Sequence, residues 1–326
     1  MAGLPGIGMR SFFGFGEEST YGSPVTRTNY IEINSESFMK QVARLESSSI
    51  IRRGILNTKV GAGAISLEGD VEFDAHYDGW LKLAKHAMGT VTTTQPDVTN
   101  APTAYNHQFT IADTLPTGLT VEIFRDNAQF TTEPNKSFLY KGCKVNSMQL
   151  SCGVDEILKV TCGLVGQDEG RVAKSTDSYN TARFAMYHQG VVLWNGEDIE
   201  VSQFSVTVDN QYAARPKLGS QFTREYLPDQ KIAVSGSLTA EFSSWNQYDD
   251  FINTTEREMI ATFTGPTIAG SITYLIKLTM PIALLNNVRI MLNQPGRIMA
   301  EMDFKAYRTA SANELTMDVR NISSTV

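Results

Sequence analysis

The sequence is poor in charge and in cysteine, and it has none of the short motifs that mark nucleotide, metal or nucleophile chemistry. Charged residues make up 19% of its 326 positions, below the quarter or so usual for soluble domains, which points to surface that partners cover. The three cysteines, Cys143, Cys152 and Cys162, form no Cys-x-x-Cys pair, and an odd count excludes a closed disulfide framework. They read as reduced, small buried apolar residues rather than a zinc site. No stretch approaches the roughly 18 apolar residues of a membrane span. The glycine- and proline-broken start places Arg10 after its apolar residues, the reverse of a secretory signal. The expectation is a protein made in a soluble cytosolic setting, with no membrane partner. Basic excess is also missing. A formal charge of -7 argues against a sequence-specific nucleic-acid binder, which normally carries a basic stripe, and is compatible with an acidic wall past which DNA slides without sticking.

Catalytic machinery is missing too. Gly61-Ala-Gly-Ala-Ile-Ser66 begins like a dinucleotide loop but has Ser66 in place of the third glycine and leads into a strand. There is no phosphate loop, nucleophile elbow or helical histidine pair. His76, His86, His107 and His188 are scattered; His76 adjoins Tyr77 and Asp78, where Asp78 reads as a helix N-cap. No enzyme activity and no cofactor are expected.

What is present is a repeat. Ala64-Ile-Ser-Leu-Glu-Gly-Asp-Val-Glu-Phe73 and Ala233-Val-Ser-Gly-Ser-Leu-Thr-Ala-Glu-Phe242 share a pattern, and each runs into a Tyr-Asp pair, Tyr77-Asp78 and Tyr248-Asp249. The chain reads as a tandem duplication, with modules at 1–172 and 173–326 and a break within the polar stretch 166–180. A duplicated β module without catalytic groups is the pattern of a protein that builds something symmetric.

The first copy is patterned as strand, excursion, strand, helix. Residues 38–46 alternate as a half-buried strand. In the next strand Ile65, Leu67, Gly69, Val71 and Phe73 share one face, and Ser66, Glu68, Asp70 and Glu72 the other. Leu81, Ala84 and Met88 recur at helical spacing and Gly89 supplies the stop. A linker is expected over 90–103, with strands at 105–111, 119–125 and within 138–164. The second copy repeats the order with strands at 204–208 and 232–242, a helix over 247–254, and strands at 274–280, within 287–308 and around Leu315, Met317 and Val319. Aromatic residues Phe12, Phe13, Phe15 and Tyr21 lie on a glycine-rich N-terminal arm that is ordered only if it docks. Trp80, Trp194 and Trp245 fall at or near expected core elements.

Two excursions, residues 47–63 and 209–221, exceed any hairpin turn. They carry Arg52, Arg53 and Lys59, and Arg215 and Lys217, in an acidic chain. The expectation is that they reach acidic surface on a neighbouring subunit or ring; the alternative is a solvated hairpin tip. Glu68, Asp70 and Glu72, at period two on one strand face, have the pattern of a metal or glycosidase carboxylate pair, but three like charges on a wet face read rather as solvated or as the negative wall of a channel.

Phe15-Gly-Glu-Glu-Ser-Thr-Tyr-Gly-Ser-Pro24, residues 65–82, and above all Tyr140-Lys-Gly-Cys-Lys-Val-Asn-Ser-Met-Gln-Leu150 with Lys159-Val-Thr-Cys-Gly-Leu-Val-Gly166 resemble the tail tube proteins of long, non-contractile-tailed bacteriophages. The resemblance spans residues 12–168; the second half is similar in element order and looks like the larger subunits with two tube domains. It implies a mainly β fold of two tandem β-sandwich or half-barrel domains, each flanked by a short helix, with long inter-strand loops and extended N- and C-terminal arms. It further implies stacked rings, trimers mimicking hexamers or true hexamers, around a channel for DNA. Expected partners are other copies of the chain, a tape-measure protein and transiting DNA in the lumen, and terminator and distal tail proteins at the tube ends, in a virion tail assembled in the host cytoplasm. Alternatives are a single-ring terminator or distal adaptor, or a non-catalytic β-sandwich module for a surface ligand.

Overall fold

A computed structural model describes residues 5–48, 54, 57–130, 132–292 and 295–326. The first half runs β1 (Phe12–Glu17), β2 (Asn29–Ile31), β3 (Ser35–Glu36), β4 (Met39–Glu46), β5 (Val60–Asp74), α1 (Leu81–Met88), β6 (Gly89–Thr94), β7 (Tyr105–Ile111), β8 (Leu119–Phe124), β9 (Lys136–Gly153), β10 (Lys159–Gly166) and β11 (Asp168–Ala173). The second runs β12 (Gly190–Trp194), β13 (Glu197–Asp198), β14 (Val201–Asp209), β15 (Tyr212–Ala214), β16 (Tyr226–Pro228), β17 (Ala233–Glu241), α2 (Asn246–Ile252), β18 (Arg257–Ala269), β19 (Ile272–Met291), β20 (Met299–Ala306) and β21 (Thr316–Asn321). The fold is mainly β and its strand pairs are antiparallel.

The period-two pattern of the sequence becomes the inner layer. Strands follow one another in the order β4-β5-β10-β9-β14-β17-β20-β19, four from each half. Toward the core this layer presents Leu67, Val71, Phe73, Val160, Leu150, Val206, Leu238 and Phe304, all buried; each contributes about 1.5–3 kcal/mol by leaving water. The other face is polar. Two long strands reach both layers. The first part of β9 pairs with β8 and β11 and its second part with β10 and β14; the first part of β19 pairs with β18 and β21 and its second part with β20. Both carry a bulge at the passage, at Asn146 and Asn286, and bulges bend a strand in this way.

Outer strands lock the halves together. The hairpin β6–β7 belongs to the first half but pairs through β7 with β21. Where they meet, buried His107 and Asn321 are hydrogen-bonded at 3.0 Å and the Asn321 amide donates to the Tyr77 carbonyl at 3.1 Å. The glycine-rich start is no loose arm: β1 lies between β2 and β8 and buries Phe12, Phe13 and Phe15. The last strand is likewise built into a sheet.

Several elements differ from the sequence pattern. Residues 90–94 are a strand, not a linker. The expected strands at 274–280 and from 287 are one twenty-residue strand, β19, interrupted in pattern only because Pro281, which cannot donate to a ladder, sits at the change of layer. Asp78 does not cap α1: the helix starts after Trp80 with no side-chain cap, and the Asp78 carboxylate instead accepts from the Gly79 N–H and the Ser323 hydroxyl. Trp80 and Trp194 are buried but Trp245 is 61% exposed. β4, patterned as half-buried, is exposed along nearly its whole length.

Candidate functional site

The polar face of the inner layer runs through both halves of the chain. On β5 it carries Glu68, Asp70 and Glu72, the first two exposed and the third partly so. Across the sheet Glu72 opposes Thr161, Asp70 opposes Gly163 and Glu68 opposes Val165. The face continues into the second half through a Gln149–Thr207 hydrogen bond of 3.1 Å and a Ser205–Ser237 bond of 2.8 Å. It ends in a charged lattice on β20 and β19, where Arg289 lies 3.7 Å from Asp303 and 4.0 Å from Glu301, and Asn287 donates to Asp303 at 3.1 Å. Acidic groups outnumber basic ones here, with Glu68, Asp70, Glu72, Asp209, Glu241, Glu301 and Asp303 against Lys159, Arg289 and Lys305, and serine, threonine and glutamine make up most of the remainder, with Val165 and Met291 among them. Such a surface repels phosphate and offers little apolar hold.

The two halves join by backbone pairing of β9 with β14, from Gly153 opposite Gln203 to Ser147 opposite Asp209. Helix α1 covers this joint and packs on β9 and β14, with Leu81, Leu83, Ala84, His86, Ala87 and Met88 all buried. Asn210, 3% exposed, ties the end of β14 down by donating to the carbonyls of Ala87 and Val145 at 2.9 and 3.0 Å. The layer stops at β4 on one side and at the second part of β19 on the other; beyond each, among the described residues, no further strand is paired.

The second excursion lies beside the described foot of the first, at one end of the layer. Residues 210–232 form the small hairpin β15–β16, which reaches onto the first half: the Ile65 N–H donates to the Gln221 carbonyl at 2.9 Å, the Lys40 ammonium sits 5.4 Å over the Phe222 ring, and Lys144, 6% exposed, donates to the Tyr226 carbonyl at 2.9 Å beside Glu225. Burial pushes the Lys144 ammonium below its ordinary pKa, against the pull of Glu225. Arg215 and Lys217 are exposed at this hairpin, and Lys59 is exposed at the foot of the first excursion; among the described residues none of the three makes an ion pair. Arg52 and Arg53 lie outside the described residues. Lys59, Arg215 and Lys217 thus share an end of the molecule, while Glu68, Asp70 and Glu72 share its polar face.

The sequence matches the family described as phage tail tube protein over residues 8–306. The chain belongs to the phage tail tube protein family. It is therefore a structural component of the phage tail, in a family whose members assemble into tubes. No curated protein matches the sequence. A tail tube protein has no need of a reactive centre, and the tail tube match runs through both halves, including the second, whose likeness was legible only in element order. Sequence reading missed the β9–β14 joint. Its signal was present as the alternation of Phe204, Val206 and Val208 with Ser205, Thr207 and Asp209, which marks a strand with one wet face but does not name its neighbour.

Proposed function

We propose that this chain is the major subunit of a siphophage-like tail tube. Two tube modules, residues 1–172 and 173–326, stand for two subunits of a sixfold ring, so that three chains close one ring and rings stack to any length. The observation that carries this reading is the continuous inner layer: one polar, acid-rich face running through both halves and ending in two unpaired strand edges. Unpaired edges are a hazard that closure removes. The polar face then lines the channel, where a tape-measure protein lies before DNA passes without specific contact. Lys59, Arg215 and Lys217, with Arg52 and Arg53, meet acidic surface on the adjoining ring. Terminator and distal proteins cap the ends, and assembly takes place in the host cytoplasm.

Negative-stain electron microscopy of the purified chain at rising concentration tests the reading. Hollow tubes with a regular axial repeat are expected; monomers at every concentration, or single closed rings that never stack, overturn it. The lumenal assignment is tested by the triple variant Glu68→Lys, Asp70→Lys, Glu72→Lys. Its tubes are expected to retain duplex DNA in a salt-sensitive way, and tubes that bind DNA no better than the parent refute the assignment.

A further inference from the structure

The internal joint contains its own missing counterpart. Residues 64–73 of β5 correspond to 233–242 of β17, so Ser66 matches Ser235. Gln41 opposes Ser66 as Thr207 opposes Ser235, and Val42 opposes Ile65 as Val208 opposes Val234; β4 is therefore the equivalent of β14. On the far side, Gly163 opposes Asp70 as Glu301 opposes Thr239. Ser147 opposes Gly163 as Arg289 opposes Glu301, and Gln149 opposes Thr161 as Met291 opposes Met299. The second part of β19 is thus the equivalent of the second part of β9. Of the four neighbours that β9 has, β19 possesses the equivalents of β8, β10 and β11, in β18, β20 and β21. It lacks only the equivalent of β14.

The covering helices show the same deficit. Six residues of α1 are buried, because β9 and β14 both lie beneath it. Helix α2 packs chiefly on β19 and buries only Asp250, which is bonded to Trp194 and Arg257, leaving Trp245 and Ile252 about 60% exposed. Beneath it opens a groove of about 200 Å³ lined by Phe242, Tyr248, Val288, Ile290 and Met302. Apolar side chains stand in water at both free edges: Val42 on β4 and Leu292 at the end of β19, the latter 81% exposed.

We propose that β4 of a second copy of this chain pairs antiparallel with the end of β19, residues 289–291, and with Leu292 just beyond it, in the register that the internal joint dictates. Thr207 faces Gln149 and Val208 faces Met148 within the chain, so Gln41 of one copy faces Met291 of the next on the lumenal side. Val42 faces Ile290 on the core side and fills the groove under α2, as buried Val208 fills the space under α1. Lys40 lies opposite Leu292, and its four-carbon stem covers that side chain. This rests on the tube reading and adds the atoms of the seam. Pairing joins one edge to the other, head to tail, which generates rings or filaments rather than a closed twofold dimer.

Disulfide trapping tests the register. Residues directly opposite on antiparallel strands have Cα atoms about 4.5–5.5 Å apart, within the span a disulfide bridges, whereas a pair shifted by two residues lies roughly 7–8 Å apart. The variant Gln41→Cys/Met291→Cys is oxidised with diamide, which takes two electrons and two protons from each thiol pair, and is run without reductant beside electron micrographs of the same sample. The expected result is loss of the monomer band to covalent multimers that dithiothreitol restores to monomer. The register is overturned if Gln41→Cys/Arg289→Cys traps multimers and the in-register pair does not. Head-to-tail pairing is overturned if Gln41→Cys alone traps a dimer. Tubes in the micrographs with no trapping by any pair overturn the seam while the tube reading stands; a parent chain that forms neither tubes nor multimers fells the tube reading itself. Val42→Asp supplies a second arm. Its side chain is exposed in the single chain, so the melting midpoint of the monomer is expected to be unchanged while assembly is lost, and a variant that assembles like the parent refutes the seam.

Discussion

Replacing Asn210 by alanine isolates the contact that fastens the second half to the first. The Asn210 amide is the donor for two buried carbonyls, Ala87 and Val145. Ala87 stands in the last turn of α1, where carbonyls have no donor within the helix. Val145 precedes the bulged Asn146, where the β9–β10 ladder slips. Alanine therefore removes two hydrogen bonds worth about 1 kcal/mol each and leaves two acceptors stranded, an expected loss of about 2–4 kcal/mol. That corresponds to a fall in melting midpoint of roughly 3–6 °C for a chain of this length. The backbone bond from Asn210 N–H to the Asn146 carbonyl at 2.8 Å survives, so the strand end loosens without detaching. Asn146 clamps the same turn from the other side by accepting from the Tyr212 N–H at 2.8 Å. A double-mutant cycle of Asn146→Ala and Asn210→Ala should give a coupling of about 1 kcal/mol. Thermal unfolding followed by circular dichroism, on dilute monomer and with the exposed Lys217→Ala as control, reads both quantities. An Asn210→Ala chain that melts with that control, or a strictly additive cycle, refutes the reasoning.

Three other perturbations follow from the geometry. The Glu17 carboxylate is held down from its ordinary 4.5 to about 2, first by the hydrogen bond from His86 and then, against the cost of burial, by Lys85. Its stability contribution is complete above pH 4.5 and lost as pH falls toward 2. Buried His86 is itself pushed below its ordinary value of 6.5, so unfolding also takes up a proton below that pH; acid unfolding curves of Glu17→Gln should lose the limb between pH 4.5 and 2, and an unchanged limb refutes the assignment. Gly69→Ala places a Cβ 2.5 Å from the Ser37 carbonyl oxygen and 2.6 Å from the Phe38 Cα, backbone atoms that cannot swing aside. A loss of at least about 2 kcal/mol is expected in urea titration, and a parent-like midpoint counts against that packing. All three thiols are buried and raised by desolvation, Cys152 to about 11 and Cys162 to about 12. Ellman's reagent at pH 8 should find none in the native chain and three after denaturation; rapid native reaction contradicts the burial.

How much of this was legible depended on whether a residue's neighbours are near in sequence. The alternation of β5, the apolar spacing of α1 and its Gly89 stop, at φ 114°, need only the local chain, and the structure has them. The repeat fixed the correspondence of β5 with β17. Asp78 misled because an acidic residue ahead of an apolar run resembles a cap, whereas burial of Trp80 sets where α1 starts. Pro281 split β19 on paper because its effect depends on which strand lies beside it. β4 carries the alternation of a half-buried strand yet is exposed in the single chain, because local patterning records which face is apolar and not whether another strand covers it. Glu68, Asp70 and Glu72 were legible as one face, but the extension of that face to Arg289 and Asp303 required knowing that β9 neighbours β14.

The pairing of β7 with β21 sets a timetable for synthesis. His107 and Asn321 stand 214 positions apart, so the hairpin β6–β7 leaves the ribosome many seconds before the strand that completes it, at synthesis rates of about 5–20 residues per second. Until residues 316–321 emerge, Phe109 has no cover from Met317 and Val319, and the first half waits unfinished beside its exposed β4. A nascent chain therefore acquires a sealed outer wall only when its second half is already made, which delays the moment at which one copy can recruit another. Stalled chains ending at residue 300 should be cut by protease within residues 89–111, and chains released at full length should resist.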